Sequence, residues 1–178
     1  MNARGDGGAA ARGPIRLLGI DPGLRFTGWG VLECEGNHLR HVADGVIATD
    51  SDESVPLRLK SLDDQLAEIL ARYAPAEAAV EETYVNVNAS ATLKLGYARG
   101  VALLAPARLG IPVFEYGAKT VKMAVVGTGS ADKAQVGLMV RRLLPGAAQK
   151  RADAADALAV AICHAHHRAT KNAWKKPA

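Results

Sequence analysis

Two apolar runs, IRLLGID and FTGWGVLEC, stand on either side of a short Asp-Pro-Gly turn, and a third, HLRHVADGVIAT, follows them closely. Apolar and β-branched residues bounded by Gly, Pro and Asn read as strands, and connections this short fold three of them into an antiparallel meander. The first strand ends on a carboxylate, Asp21. A strand tip next to a core is a costly place for an unpaired charge. Asp21 therefore either opens the turn, which Asp does well before Pro-Gly, or holds something that calls for negative charge.

The rest of the chain changes period. VPLRLKSLDDQLAEILARYA carries Leu57, Leu62, Leu66, Ile69 and Leu70 at helical spacing and stops before Pro75. EAAVEE is a short strand that again ends in acids, Glu81 and Glu82. NASATLKLGYARGVALLAPARLG reads as a long helix with small residues, and IPVFEY as a fifth strand. Three helical stretches follow: AKTVKMAVV, ADKAQVGLMVRRLL and ADAADALAVAICHAHH. The order βββαβαβ followed by helices predicts an α/β fold, a mixed five-stranded sheet flanked by α-helices.

At 178 residues the chain suits one domain with one core. Residues 1–13, rich in Gly, Ala and Arg, are expected to be a disordered N-terminal extension, residues 14–169 the domain, and residues 170–178 a basic C-terminal tail. No apolar run approaches the roughly 20 residues of a membrane span. Cys34 and Cys163 stand alone, without a CxxC or ligand cluster, and are expected to be reduced core thiols of a cytoplasmic protein. The net charge of +4 suits a polyanionic partner without specifying one.

Three places hold carboxylates that packing alone does not ask for: Asp21, the pair Glu81 and Glu82, and Asp153 with Asp156 in RADAADALAVA. The last two are three residues apart, on one face of a helix's first turn. Each has an ordinary reading, as turn opener, solvated strand end, or helix cap and dipole partner. If the first and fourth strands are neighbours, however, their tips and this helix converge on one acidic cluster. Such a cluster repels itself unless a divalent cation neutralises it, and hard oxygen ligands suit Mg²⁺ or Mn²⁺.

Taken together, GIDPGLRFTGWGV, VEETYVNVNASATLKLGYARG, VVGTGSADKAQV and ADAADALAVAICHAH resemble the RuvC family, bacterial Holliday junction resolvases with a ribonuclease H-like fold. The four blocks run in the family's order from about Ile15 to His167. The resemblance implies that Asp21, Glu81, Asp153 and Asp156 are the catalytic acids and metal ligands, and it leaves out Glu82, which falls where the family requires no acid. It implies two Mg²⁺ ions, with Mn²⁺ able to substitute. Asp21 is then expected to bridge the ions, Glu81 and Asp156 to complete their coordination, and Asp153 to ligate a metal or orient its water.

The same resemblance makes Lys122 and Lys133 catalytic and DNA-binding residues. Lys119 and Ser130 are further expected DNA contacts, Ser130 also as a cap for the following helix, whose free amides would seat a phosphate. Tyr84 stands where relatives carry Phe and is expected to stack on an unpaired base. His164, His166 and His167 are expected at the end of the last helix and to bind no metal. The implied partners are four-way junction DNA, a second copy of the chain in a homodimer, and the branch-migration proteins RuvA and RuvB. Two other readings are a junction-binding protein without cleavage and a YqgF-like nuclease acting on structured RNA.

Overall fold

The computed structural model describes residues 13–82, 88–147 and 151–174; Tyr84, Lys150 and both chain ends beyond these ranges lie outside the described residues. The elements are β1 (Ile15–Asp21), β2 (Phe26–Glu35), β3 (His38–Ala48), α1 (Val55–Tyr73), β4 (Glu77–Glu82), α2 (Ala89–Arg108), β5 (Val113–Gly117), α3 (Ala118–Val126), α4 (Lys133–Leu143) and α5 (Ala152–Trp174). They form one mixed sheet in the order β3-β2-β1-β4-β5. The first three strands make the expected antiparallel meander, whereas β4 and β5 run parallel to β1.

Strand periodicity divides the side chains between two cores. Leu18, Ile20, Ala78 and Val80 join Leu62, Leu66, Ala98 and Ala102 of α1 and α2 on one face. Leu17 and Ala79 join Leu158, Ile162, Val121 and Val140 of α5, α3 and α4 on the other. By the same alternation Asp21 and Glu81 belong to the α5 face, and Glu82 falls on the opposite one. The pleat thus gives a physical reason for separating the two neighbouring glutamates.

Helix α5 lies unusually close to the sheet because glycines face it. A Cβ on Gly19 would stand 2.1 Å from the Ala157 carbonyl oxygen, and one on Gly28 would stand 1.9 Å from that of Asp153. The helix descends from the tip of β1, past Gly19, to the start of β4. There the buried His164 meets Glu77 Oε2 at 2.8 Å through Nε2 and Tyr116 Oη at 2.8 Å through Nδ1, while Arg168 donates to Glu77 Oε1 at 3.0 Å.

Two expectations change. The last helix continues to Trp174, so the first residues of the expected tail are helical and His164 sits in mid-helix. Its carboxylate neighbour is Glu77, distant in sequence but close in space. Finally, α4 is capped by Asp132, which accepts from the Gln135 amide while the Gln135 side chain accepts from the Asp132 amide. Ser130 instead meets the Thr128 hydroxyl at 2.9 Å.

Candidate active site

Each acid is delivered by a different element, and local chemistry fixes each element. Thr27 closes the turn after Asp21: its hydroxyl donates to the Gly23 carbonyl at 2.7 Å and accepts from the Gly23 amide at 3.2 Å. The buried Arg58 of α1 donates to Thr49 Oγ1 at 3.0 Å and to the Leu24 carbonyl at 3.3 Å, and the Thr49 hydroxyl also donates to that carbonyl. On the other flank Ile20 pairs with Val80, one residue before Asp21 and Glu81 respectively. Asp21 pairs with Gly28, against which the first turn of α5 is seated. Asp153 lies in that turn, where a carboxylate complements the helix dipole.

A cleft of about 240 Å³ at this end of the sheet is lined by Asp21, Glu81, Asp156, Lys122 and Lys133, with Ala118, Val121, Val136 and Ala159 as its apolar floor. Lys133 Nζ donates to Asp156 Oδ2 at 2.9 Å. Burial, then the Glu81 and Asp156 charges, push the Asp21 carboxyl from its ordinary 3.8 up to about 8, against the pull of Lys133. Burial and Asp156 also raise Glu81, whose carboxylate accepts a hydrogen bond from Asp21. Lys133 is raised by its bond to Asp156.

Not every expected residue joins this cleft. Asp153 acts on Asp21 and Lys133 through its charge, but its own Oδ2 accepts from Arg151 at 3.3 Å. Lys119 lines a separate hollow with Thr120, Met123 and His167, and its stem packs over Gly129. The amides at the start of α4 include one taken by the Asp132 cap rather than left open to a phosphate. A larger hollow of about 570 Å³ lies beside β3, lined by Trp29 and Tyr73 among others, but it lacks the paired acids and lysines. Volume does not mark the chemistry here; the convergence of charge does.

Among the described residues no three of His, Cys, Asp and Glu close into a ready-made ligand set. The donor chemistry nevertheless fits a hard divalent cation. Three carboxylates face one cleft, burial and mutual repulsion raise two of them, Asp21 and Glu81, above the ordinary carboxylate range, and a lysine ammonium supplies the positive charge at Asp156.

This electrostatic tension has a measurable consequence. Between about pH 4 and 8 the unfolded Asp21 is ionised while the folded one keeps its proton, so the folded state binds more protons and stability falls as pH rises through about 8. In EDTA, denaturation across this range should show a downward slope of up to about 1.4 kcal/mol per pH unit from this group. Saturating Mg²⁺ should flatten it, and Asp21→Asn should remove its Asp21 component. An identical profile for wild type and variant would refute the assignment of the strain to Asp21.

The fold and cleft together define a ribonuclease H-like α/β domain that gathers acids at the tips of adjacent parallel strands. The family model of crossover junction endodeoxyribonuclease RuvC matches residues 17–164. The Granulibacter bethesdensis crossover junction endodeoxyribonuclease RuvC is 72% identical over 168 residues, covering 94% of each chain. The Acidiphilium cryptum protein of the same description is 77% identical over 155 residues, covering 87% of this chain and 93% of the relative. Among solved structures, T. thermophilus RuvC in complex with Holliday junction substrate superposes with a TM-score of 0.82 at 34% identity, covering 88% of this chain and 96% of that one. The chain belongs to the RuvC family and is a junction-resolving endonuclease of homologous recombination, a hydrolase of phosphodiester bonds. Nucleases of this family are metal-dependent.

Proposed function

We propose that the chain resolves Holliday junctions by paired, symmetric nicks across the junction, with Asp21, Glu81, Asp153 and Asp156 as its metal-holding acids and Mg²⁺ as its natural ion, two per site. The carrying observation is the meeting of Asp21, Glu81 and Asp156, from three separate elements, with Lys122 and Lys133 in one cleft. Bound divalent ions supply the charge that activates a water and eases departure of the 3′ oxygen, and Mn²⁺ meets the same coordination demands. The acids hold that charge at the sheet end, and Asp153 ligates or orients water beside them. Lys122 and Lys133 face the same cleft and bind the non-bridging oxygens of the scissile phosphate. Water's oxygen joins phosphorus as the bond to the 3′ oxygen breaks, leaving a 5′ phosphate and a 3′ hydroxyl that a ligase can seal.

A four-way junction has approximate two-fold symmetry, which a C2 homodimer matches with two equivalent sites. Support comes from α2, whose outward face carries Leu93, Tyr97 and Leu104, at 56%, 42% and 54% exposure, around Gly96 and Gly100 with open space before them. A second copy would bury this stripe. No helix among the described residues is long and apolar enough to cross a membrane. The free, buried Cys34 and Cys163 suit action in the cytoplasm, where RuvA and RuvB are the expected companions on the junction. Tyr84 as a stacking residue, with Lys119 and Ser130 as outer contacts, completes the proposed DNA surface.

The test is a synthetic mobile four-way junction incubated with the protein, with and without Mg²⁺. Paired, ligatable nicks that need the ion are expected. Tight binding without cutting would favour a binding protein, and preferential cutting of structured RNA a YqgF-like nuclease.

A further inference from the structure

We infer that Arg25 and Arg151, stacked on Phe26, form a second phosphate-binding wall, on the opposite side of the acids from Lys122 and Lys133. The inference rests on the reading of the cleft as a DNA-cutting centre. Phe26 opens β2, and β2 is antiparallel to β1, so Phe26 stands at the same end of the sheet as Asp21. The lysines enter from the other side: α3 follows β5, two strands beyond β1. A nucleic-acid strand crossing this end of the sheet would pass from the lysines, over Glu81 and Asp21, to the arginines.

The arrangement is hard to explain by folding alone. The guanidinium carbons of Arg25 and Arg151 lie 5.2 and 3.9 Å from the one Phe26 ring centroid, so two like charges are gathered on one aromatic. Stacking leaves guanidinium edges available for bidentate bonds to a phosphate. Arg25 is exposed and makes no ion pair among the described residues. Arg151 immediately precedes α5, at the end of the helix dipole where a cation is disfavoured. Its partner is Asp153, at 3.3 Å with side-chain exposures of 45% and 33%; an ion pair this open contributes little, so exchanging it for a phosphate costs little. One carboxylate for two guanidinium groups leaves a net positive patch, and a phosphodiester backbone is the complementary ligand.

The test is the salt dependence of binding to a synthetic four-way junction in EDTA, where no cutting occurs. Each phosphate contact contributes about 0.7 to 0.9 to the slope of log affinity against log salt. Arg25→Gln and Arg151→Gln should each lower the slope by about 1, and the double variant by about 2. Arg151→Lys, which keeps the charge but loses the planar stack, should keep the slope. Arg25→Gln leaves the Arg151–Asp153 pair and the α5 start intact, so its thermal midpoint should match wild type and its slope decides the matter even if Arg151→Gln folds poorly. A wild-type slope in Arg25→Gln would overturn the wall while leaving the nuclease reading in place. Failure of the wild-type protein itself to bind the junction would overturn that reading and the wall with it.

Discussion

Asp21→Asn should reduce junction cutting by on the order of 10³-fold or more, while junction binding in EDTA stays near the wild-type level. Losing one preorganised charge-stabilising group at a reacting centre commonly costs 10² to 10³ in rate, and Asp21 is proposed to serve both ions. Asparagine keeps the size of aspartate and its turn chemistry, so the Thr27–Gly23 closure should survive. The neutral amide also resembles the protonated acid that burial and the Glu81 and Asp156 charges favour at neutral pH. The variant should therefore fold at least as well as wild type without metal. Single-turnover cutting and equilibrium binding, measured on the same preparation, check both halves. Cutting within about tenfold of wild type would remove Asp21 from the centre, and loss of folding would make it a structural residue.

Gly28→Ala should be damaging although residue 28 has no side chain to contribute. The new Cβ would stand 1.9 Å from the Asp153 carbonyl oxygen and 2.5 Å from its carbonyl carbon. Both colliding parts are backbone, one in a central strand and the other at a helix start, so neither has a rotamer through which to yield. Overpacking of this kind costs about 3 kcal/mol, or a thermal midpoint lower by about 6 to 12 °C for a domain of this size. The helix that retreats carries Asp153 and Asp156, and a displacement near 1 Å at a catalytic group can cost about 10²-fold in rate. Thermal unfolding and cutting at a temperature where the variant is folded separate the two effects. Unchanged stability and rate together would show that the close seat of α5 does not position the acids.

Much of this site was legible in the sequence because its parts sit at points of local punctuation. Asp21 and Glu81 end apolar strands, and Asp153 and Asp156 open a helix, so pattern draws attention to them jointly and the family resemblance singles them out. That Glu81 rather than Glu82 faces the cleft is also a matter of strand parity, visible in EAAVEE once the buried face is known. What depends on tertiary contact was not legible. The Glu77–His164–Tyr116 network joins residues 87 and 48 positions apart, and no local pattern announces such a meeting. The Phe26–Arg151 stack spans most of the chain, and the signal that could have suggested it was one scarce aromatic flanked by an arginine. The sequence offers Ser130 as readily as Asp132 for the cap of α4, because both are good caps and the choice rests on where α4 begins.

The sheet also acts as a partition wall. Every described residue of the acid cleft stands on the α5 side or at the strand tips, whereas the bare stripe of α2 lies beyond the opposite face. Two copies joined through α2 would each keep their chemistry on the far side of a five-stranded barrier from the contact. Timing between the two cuts would then have to be carried by the DNA itself, because among the described residues the sheet stands between each cleft and the α2 stripe.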